Sequence, residues 1–219
     1  MITYKELKQN KEIQEYYKKG NSILGIMGYT DHSLAHVCLV AEKAGAILKE
    51  LGYSEREIEL AKIAGLMHDI GNAINRKHHA EYGALLANDI LKGIDMELKD
   101  RIDIVAAIAN HDESTGTAID PVSAALIIAD KSDVRRNRVR TKESAKFDIH
   151  DRVNYAVIGM NLSINEEKTH ITLDLEIDES ICSMYDYFEI FLHRMIMCRR
   201  ASEMLGLKFR LKVNGNKVL

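Results

Sequence analysis

A chain of 219 residues, 46% hydrophobic and 29% charged, can bury a substantial core, which excludes a disordered or fibrous chain. Its formal charge of −3 at pH 7 excludes a general pull toward nucleic acid or anionic lipid, leaving only local basic clusters to supply one. No run approaches the roughly 18 uninterrupted apolar residues of a membrane span, and Cys38, Cys182 and Cys198 are too scattered and too odd in number for a disulfide framework or a CxxC zinc motif.

The opening stretch "MITYKELKQNKEIQEYYKKG" mixes charges early and lacks an apolar signal region, so the expected location is cytoplasmic. Up to about residue 153 the apolar spacing is helical. A first helix is expected over about 3–19. Between Asp31 and Leu51, the residues Leu34, Val37, Val40/Ala41, Ala44, Ile47/Leu48 and Leu51 recur at three and four, and Gly52 stops them. "SEREIELAKIAGLMHDIG" opens on Ser54 and Glu57, a capping-box pattern, and ends at Gly71. Further helices are expected over about 79–93, 96–112 and 121–137, the last opened by Pro121, whose missing N–H costs nothing there.

The period then changes to two. "AVIGMNLSI" and "THITLDLEID" alternate apolar and polar residues around "NEEK", a β-hairpin pattern. A helix over about 179–205 carries an apolar stripe from Ile181 through Phe188 and Met195 to Cys198, and "KFRLKVNGNKVL" reads as a third strand with an Asn-Gly turn. The expected fold is mainly α: a helical domain over residues 1–153, then a small α+β element over 154–219 made of an antiparallel hairpin, a helix and a strand. The stripe is expected to pack on the small sheet, with a homodimer contact as the alternative.

Several polar residues interrupt apolar faces. In "AGLMHDIGN", His68 and Asp69 end a run of Ile, Ala, Leu and Met, and burying a carboxylate beside an imidazole is expensive unless something compensates it. His36 lies on the Leu34–Val37–Val40 face with His32 one turn earlier, His79 begins "HAEYGALLA", His111 follows "IVAAIAN" and Asp130 follows "AALIIA". Each alone reads as a satisfied core residue or a cap. Together they ask for a shared counter-charge, which a divalent cation held between facing helices supplies.

The order His36, His68-Asp69, His79, His111, Asp130 resembles the HD superfamily of metal-dependent phosphohydrolases. "HVCLVAEKA" resembles that family's first metal helix, "LMHDIGN" its signature, "HHAEYGALLA" the segment bringing an extra histidine, and "IANHDE" and "LIIADKSDVRR" its last two motifs. The resemblance spans roughly residues 30–140 and leaves the C-terminal element outside it. It implies His36, His68, Asp69 and Asp130 as core ligands, and His79 and His111 as the extra pair of two-metal members, with Asp69 bridging. One departure stands out: several members carry a lysine where this chain has Asn72, so that phosphate-binding lysine is missing.

The implied cofactor is one or two divalent ions among iron, manganese, nickel and magnesium, and the several histidines argue against a purely magnesium site. Candidate catalytic groups are Asp69, His32 and Asp112, with Glu113 beside it, serving water activation and proton transfer. Candidate phosphate-binding cations are Arg76 and Lys77 after the His-Asp pair, and Lys131, Arg135 and Arg136 after Asp130; a shared helical face for Asp130, Asp133 and Arg136/Arg138 is expected. The alternative for "KSDVRRNRVR" is a solvated face, and a nucleic-acid patch is disfavoured because no aromatic residue interleaves the arginines. His78 is expected beside the ligands, and His150, His170 and His193 in structural or surface roles. The expected activity is hydrolysis of a small phosphate ester, a nucleotide being the class implied by resemblance. The alternatives are a di-iron oxygenase on the same ligands and a non-catalytic nucleotide-binding regulatory module.

Overall fold

Side-chain caps decide where the helices begin. The computed structural model describes residues 2–140 and 149–218, the side chains of residues 149 and 150 excepted, so the expectation for His150 lies outside them. Helices α1 (Tyr4–Lys8) and α2 (Lys11–Ile26) replace the single helix expected over 3–19. The break falls at Gln9–Asn10 because the Asn10 side chain accepts hydrogen bonds from the Glu12 and Ile13 N–H groups and so starts a new helix. Helix α3 (Leu34–Leu51) ends at Gly52, where φ is 88°, a left-handed cap that suits glycine. Helix α4 (Glu55–Met67) opens with the Ser54–Glu57 capping box, and a 3-10 turn (Ile70–Ala73) follows it.

Helices α5 (His79–Gly93), α6 (Leu98–Ala109) and α7 (Pro121–Lys131) complete the bundle. Helix α7 starts with an Asp120 cap and Pro121 in the first turn. It stops at Lys131 instead of running to residue 137. Beyond it the Arg138 guanidinium donates to the carbonyl oxygens of Asp133 and Asp31, and a separate 3-10 turn (Arg136–Arg138) forms. The shared face expected for Asp130, Asp133 and Arg136/Arg138 is therefore absent.

Helix α8 (Ile149–Ala156) leads into the hairpin of β1 (Val157–Ile164) and β2 (His170–Ile177). Helix α9 (Met184–Met204) crosses over to β3 (Lys208–Val213), and the Asn214–Gly215 turn leads into β4 (Asn216–Lys217). The sheet order is β1-β2-β3-β4, with β2 and β3 parallel and the other pairs antiparallel. A parallel pair needs a crossover, and α9 is that crossover. It packs against α7 as well as β3, burying Tyr187, Phe191, Met195 and Cys198, so the core runs unbroken from the bundle into the sheet. Among the described residues, no helix is long and apolar enough to cross a membrane.

Two glycines let backbones touch where the bundle converges. A Cβ on Gly65 would lie 2.6 Å from Ala41 Cα, so α3 and α4 meet almost backbone to backbone. A Cβ on Gly71 would lie 2.1 Å from the His79 carbonyl oxygen, so the turn after α4 presses on the start of α5. These approaches bring the ends of three helices to one place.

Candidate metal centre

Each helix of that convergence delivers a ligand-type side chain. His36 comes from the first turn of α3, His68 caps α4, Asp69 follows it, His79 opens α5, His111 follows α6 and Asp130 sits one residue before the end of α7. The four imidazoles and Asp69 are all buried, at 4% exposure or less.

Two lobes share Asp69. In the first, His36 Nε2 lies 3.4 Å from Asp130 Oδ1 and 3.8 Å from Asp69 Oδ2, while His68 Nε2 lies 3.5 Å and 3.4 Å from the same two oxygens. In the second, His79 Nε2 lies 3.6 Å from Asp69 Oδ1 and 3.2 Å from His111 Nε2. The two carboxylate oxygens of Asp69 thus face different lobes. Nitrogen and oxygen donors close enough to share an ion occur both as His36, His68 and Asp130 and as His68, Asp69 and His111.

The outer partners of the rings decide what the inner nitrogens can do. Nδ1–H of His68 donates to the Gly65 carbonyl at 2.9 Å, that of His79 to Arg76 at 3.0 Å and that of His111 to Ile108 at 2.6 Å. A carbonyl oxygen only accepts, so each Nδ1 carries a proton and each ring turns its Nε2 inward, as a lone pair where the ring is neutral. His36 Nδ1–H donates to Asp133 Oδ2 at 2.7 Å in the same way. The inner Nε2 atoms of His36 and His68 are buried with no hydrogen-bond partner, which costs about 1–3 kcal/mol each if nothing binds them. His79 and His111 bring two such lone pairs face to face. A cation between the rings turns that repulsion into coordination, and hard carboxylate oxygens with imidazole nitrogens suit a divalent metal.

Electrostatics point the same way. Burial alone would raise Asp69 and Asp130, but His68 beside Asp69, and Lys131 with His68 beside Asp130, hold both well below the carboxylate range. Burial pulls His68 down, yet Asp69 and Asp130 lift it to about 10. Carboxylates that attract a proton so strongly attract a divalent ion for the same reason, and the ion displaces the proton. Burial keeps His79 and His111 below the ordinary imidazole range, hence neutral.

Around this cluster the remaining candidates separate. Asn72, in the lysine position of the resemblance, donates from Nδ2 to Asp69 Oδ1 at 2.8 Å and orients the shared carboxylate. Arg76 lies 3.9 Å from Asp69 Oδ1, bonds Asn72 Oδ1 at 3.2 Å and stacks over the Tyr29 ring. His32 donates Nδ1–H to the Thr30 carbonyl at 2.7 Å and meets the His36 ring edge-on; burial lowers it well below the imidazole range. Asp112 Oδ1 is 3.8 Å from His79 Nε2. Burial would raise the Asp112 carboxyl, but a Ser114 hydrogen bond and the Lys131 charge bring it to about 2. It is a carboxylate at neutral pH, suited to orienting water and unsuited to proton donation.

Of the five expected phosphate-binding cations, Arg76 alone lines the cavity that opens beside the cluster. Lys77 stands exposed on the surface. Lys131 is buried, paired with Asp130 Oδ2 at 2.8 Å and Glu113 at 3.4 Å. Arg135 is paired with Asp133, and Arg136 bonds the Tyr155 carbonyl and stacks on its ring; both line a groove against β1. The early end of α7 turns this basic run away from the ligands. His78 is exposed near Glu81, outside the cluster.

The cavity measures about 190 Å³. His32, Arg76 and Asp112 line it on the cluster side, and Asp151, Asn154, Phe191 and Arg194 form a wall from α8 and α9. Sequence reasoning missed the roles of two residues here. Asp133 lies three residues past a ligand in a basic stretch, and only the fold shows it under His36. Arg194 sits in an apolar stripe with no local signal, yet its Nε donates to Glu113 Oε1 at 2.8 Å and its guanidinium covers the Phe191 ring.

The HD domain family matches residues 33–154 of this chain, a stretch that contains all six clustered residues. An uncharacterized protein of Methanocaldococcus jannaschii is 27% identical over 191 residues, covering 76% of this chain and 73% of that protein. Ribonuclease Y of Enterococcus faecalis is 32% identical over 122 residues, or 54% of this chain, and the match spans 21% of the ribonuclease. Among solved structures, a chain described as a predicted HD superfamily hydrolase from an uncultured Thermotogales bacterium is 24% identical, covers 57% of this chain and 68% of its own length, and superposes with a TM-score of 0.45.

Proposed function

Because this chain belongs to the HD domain family, we propose that it is a metal-dependent phosphohydrolase that cleaves a small phosphate ester, with a mononucleotide as the first substrate to try. The observation that carries the reading is the donor arrangement: four inward Nε2 atoms and two carboxylates in two lobes, with Asp69 facing both. His36, His68, Asp69 and Asp130 would hold one ion, and Asp69, His79 and His111 a second. Such ions, when bound, supply Lewis-acid polarisation of a phosphoryl oxygen and lower the pKa of bound water.

The chain's own groups do the rest by position and charge, which is most of what phosphoryl transfer asks of a protein. Asn72 keeps Asp69 in register through its Nδ2–H. Arg76, held against Tyr29 at the edge of the cluster, points a planar set of N–H donors at the place where phosphoryl oxygens gain charge. His32 is neutral and has its Nδ1–H occupied by Thr30, which leaves Nε2 as a proton acceptor. Asp112, ionised, accepts a hydrogen bond from water at the His79 side. The modest cavity favours a compact ester over a polymer.

The test is phosphate release from a panel of nucleotides and sugar phosphates by protein loaded with manganese, iron, nickel or magnesium. Release that is lost in Asp69→Ala supports the reading, and a panel without release under every metal overturns it. Oxygen uptake dependent on an organic substrate, by iron-loaded protein without phosphate release, replaces it with an oxygenase.

A further inference from the structure

The two edges of the sheet differ in how they are protected. At β4 the edge is two residues long and carries Lys217, features that discourage another strand from pairing there. At β1 it is eight residues long, "VIGMNLSI", with neither a charge nor a proline. A bulge interrupts the pairing with β2 between Val157 and Gly159, and from Gly159 to Ile164 the register is regular. At the mouth of this hairpin the Asn165 N–H donates to the His170 carbonyl. Antiparallel pairs alternate, so Met160, Leu162 and Ile164 turn their backbone N–H and C=O groups away from β2. Among the described residues no strand lies beyond them.

The side chains of the same three residues are incompletely covered. They sit opposite Leu175, Leu173 and Ile171 of β2, which are buried at 1% exposure or less, on the face turned to α3. Met160, Leu162 and Ile164 are only half-buried, because nothing covers them from the edge side. A groove runs along them, walled on its other side by Lys43, Ile47 and Glu50 of α3. Lys43 stands at its Met160 end, with Nζ 3.5 Å from the sulfur. Glu50 is two turns further along the same helix face, toward Ile164, where the strand wall of the groove ends. Among the described residues neither Lys43 nor Glu50 makes an ion pair within the chain.

We propose that β1 is a dimerisation edge, where two copies of this chain join β1 to β1 antiparallel and merge their sheets into one. Leu162 sits on the two-fold axis and meets its own counterpart, while Met160 meets Ile164 of the second copy. Each such pair exchanges both of its outward backbone hydrogen bonds. The axis keeps both apolar trios on one face of the merged sheet, where each covers the other. It also sets the two α3 helices running in opposite directions. Lys43 of one copy therefore comes to the end of the groove where Glu50 of the other stands. A charge pattern that complements itself across a two-fold axis fits a second copy better than an unrelated strand. The apolar stripe of α9 is not the contact, since its Phe191, Met195 and Cys198 are buried in the core.

Sedimentation velocity on the full chain across a concentration series tests it. The expected result is a particle of twice the chain's mass that dissociates on dilution. Amide exchange at Met160, Leu162 and Ile164 should slow as the dimer forms. Leu162→Lys places a charge on the apolar face at the axis, in both copies at once, and should give a monomer with unchanged helical circular dichroism. Lys43→Glu and Glu50→Lys should each weaken the dimer about tenfold, since each substitution acts twice across the axis. The double variant should recover most of that loss. If Leu162→Lys unfolds, the charge exchange decides the matter. A wild-type monomer at every concentration overturns the proposal. So does a dimer that survives Leu162→Lys in a folded chain, or a double variant no better than the singles.

Discussion

Asp133 is the residue on which the geometry of His36 depends. It is fully buried, accepts Nδ1–H of His36 and is itself held by Arg135 and by the Arg138 guanidinium. Outer partners of this kind typically change metal affinity about 10–100-fold when removed, so Asp133→Asn should weaken metal binding by that factor while the chain still folds. Competition with a chelating dye measures it, and unchanged affinity would show that His36 orients itself. Glu113 carries a pH signature. Burial would raise its carboxyl, but Lys131 and Arg194 hold it below the ordinary range. A group depressed in the folded state adds stability that is complete above its unfolded pKa of about 4.3 and fades as pH falls through the lower folded value. Wild type should therefore melt higher than Glu113→Gln at pH 7, with the gap closing below about pH 4; a gap independent of pH would contradict this. At this scale the six ligand-type residues were legible, because polar groups on several apolar faces, each unremarkable alone, recur together in the order that the HD resemblance carries. The roles of Asp133 and Arg194 were not, since their partners His36 and Glu113 lie far along the chain; Asn72 stood out only as a departure from the resemblance, although the carboxylate it holds is three residues away.

Among the elements, the contact between α3 and α4 controls the site, since one carries His36 and the other ends in His68. Gly65 has no room for a side chain against Ala41. Overpacking a tight core contact costs about 1–3 kcal/mol, so Gly65→Ala should lower stability by that amount in denaturant titrations. It should weaken metal binding at the same time, because the two histidines move apart with their helices. Destabilisation with unaltered metal affinity would mean that the cluster tolerates helix separation. Local chemistry made many boundaries readable: the Ser54–Glu57 box, the glycine stop at Gly52, and Pro121 behind its Asp120 cap all lie within a few residues of what they control. The two misread helices failed for different reasons. Asn10 acts as a cap inside a stretch whose apolar spacing continues on both sides. Helix α7 is ended by the tertiary hydrogen bonds of Arg138, which periodicity does not record.

At the scale of the whole molecule, one chain of alternating charges ties the parts together. It runs from Asp130 to Lys131, Glu113 and Arg194, from a metal ligand on α7 to the crossover helix of the sheet. The change of period near residue 153 made the C-terminal element visible in the sequence, but not that α9 would close the cavity over the cluster, since that depends on packing between segments far apart in the chain. Metal that binds only the folded chain must stabilise it in proportion to its concentration over Kd. Adding EDTA should therefore lower the melting temperature, and excess manganese should restore it; a melting temperature indifferent to both would contradict a folded-state site. The central claim is that two lobes share Asp69 around divalent ions. Anomalous diffraction from crystals grown with manganese tests it most directly. The account predicts two peaks, one among His36, His68, Asp69 Oδ2 and Asp130, the other among Asp69 Oδ1, His79 and His111. Manganese bound elsewhere on the chain, with neither lobe filled, would contradict it.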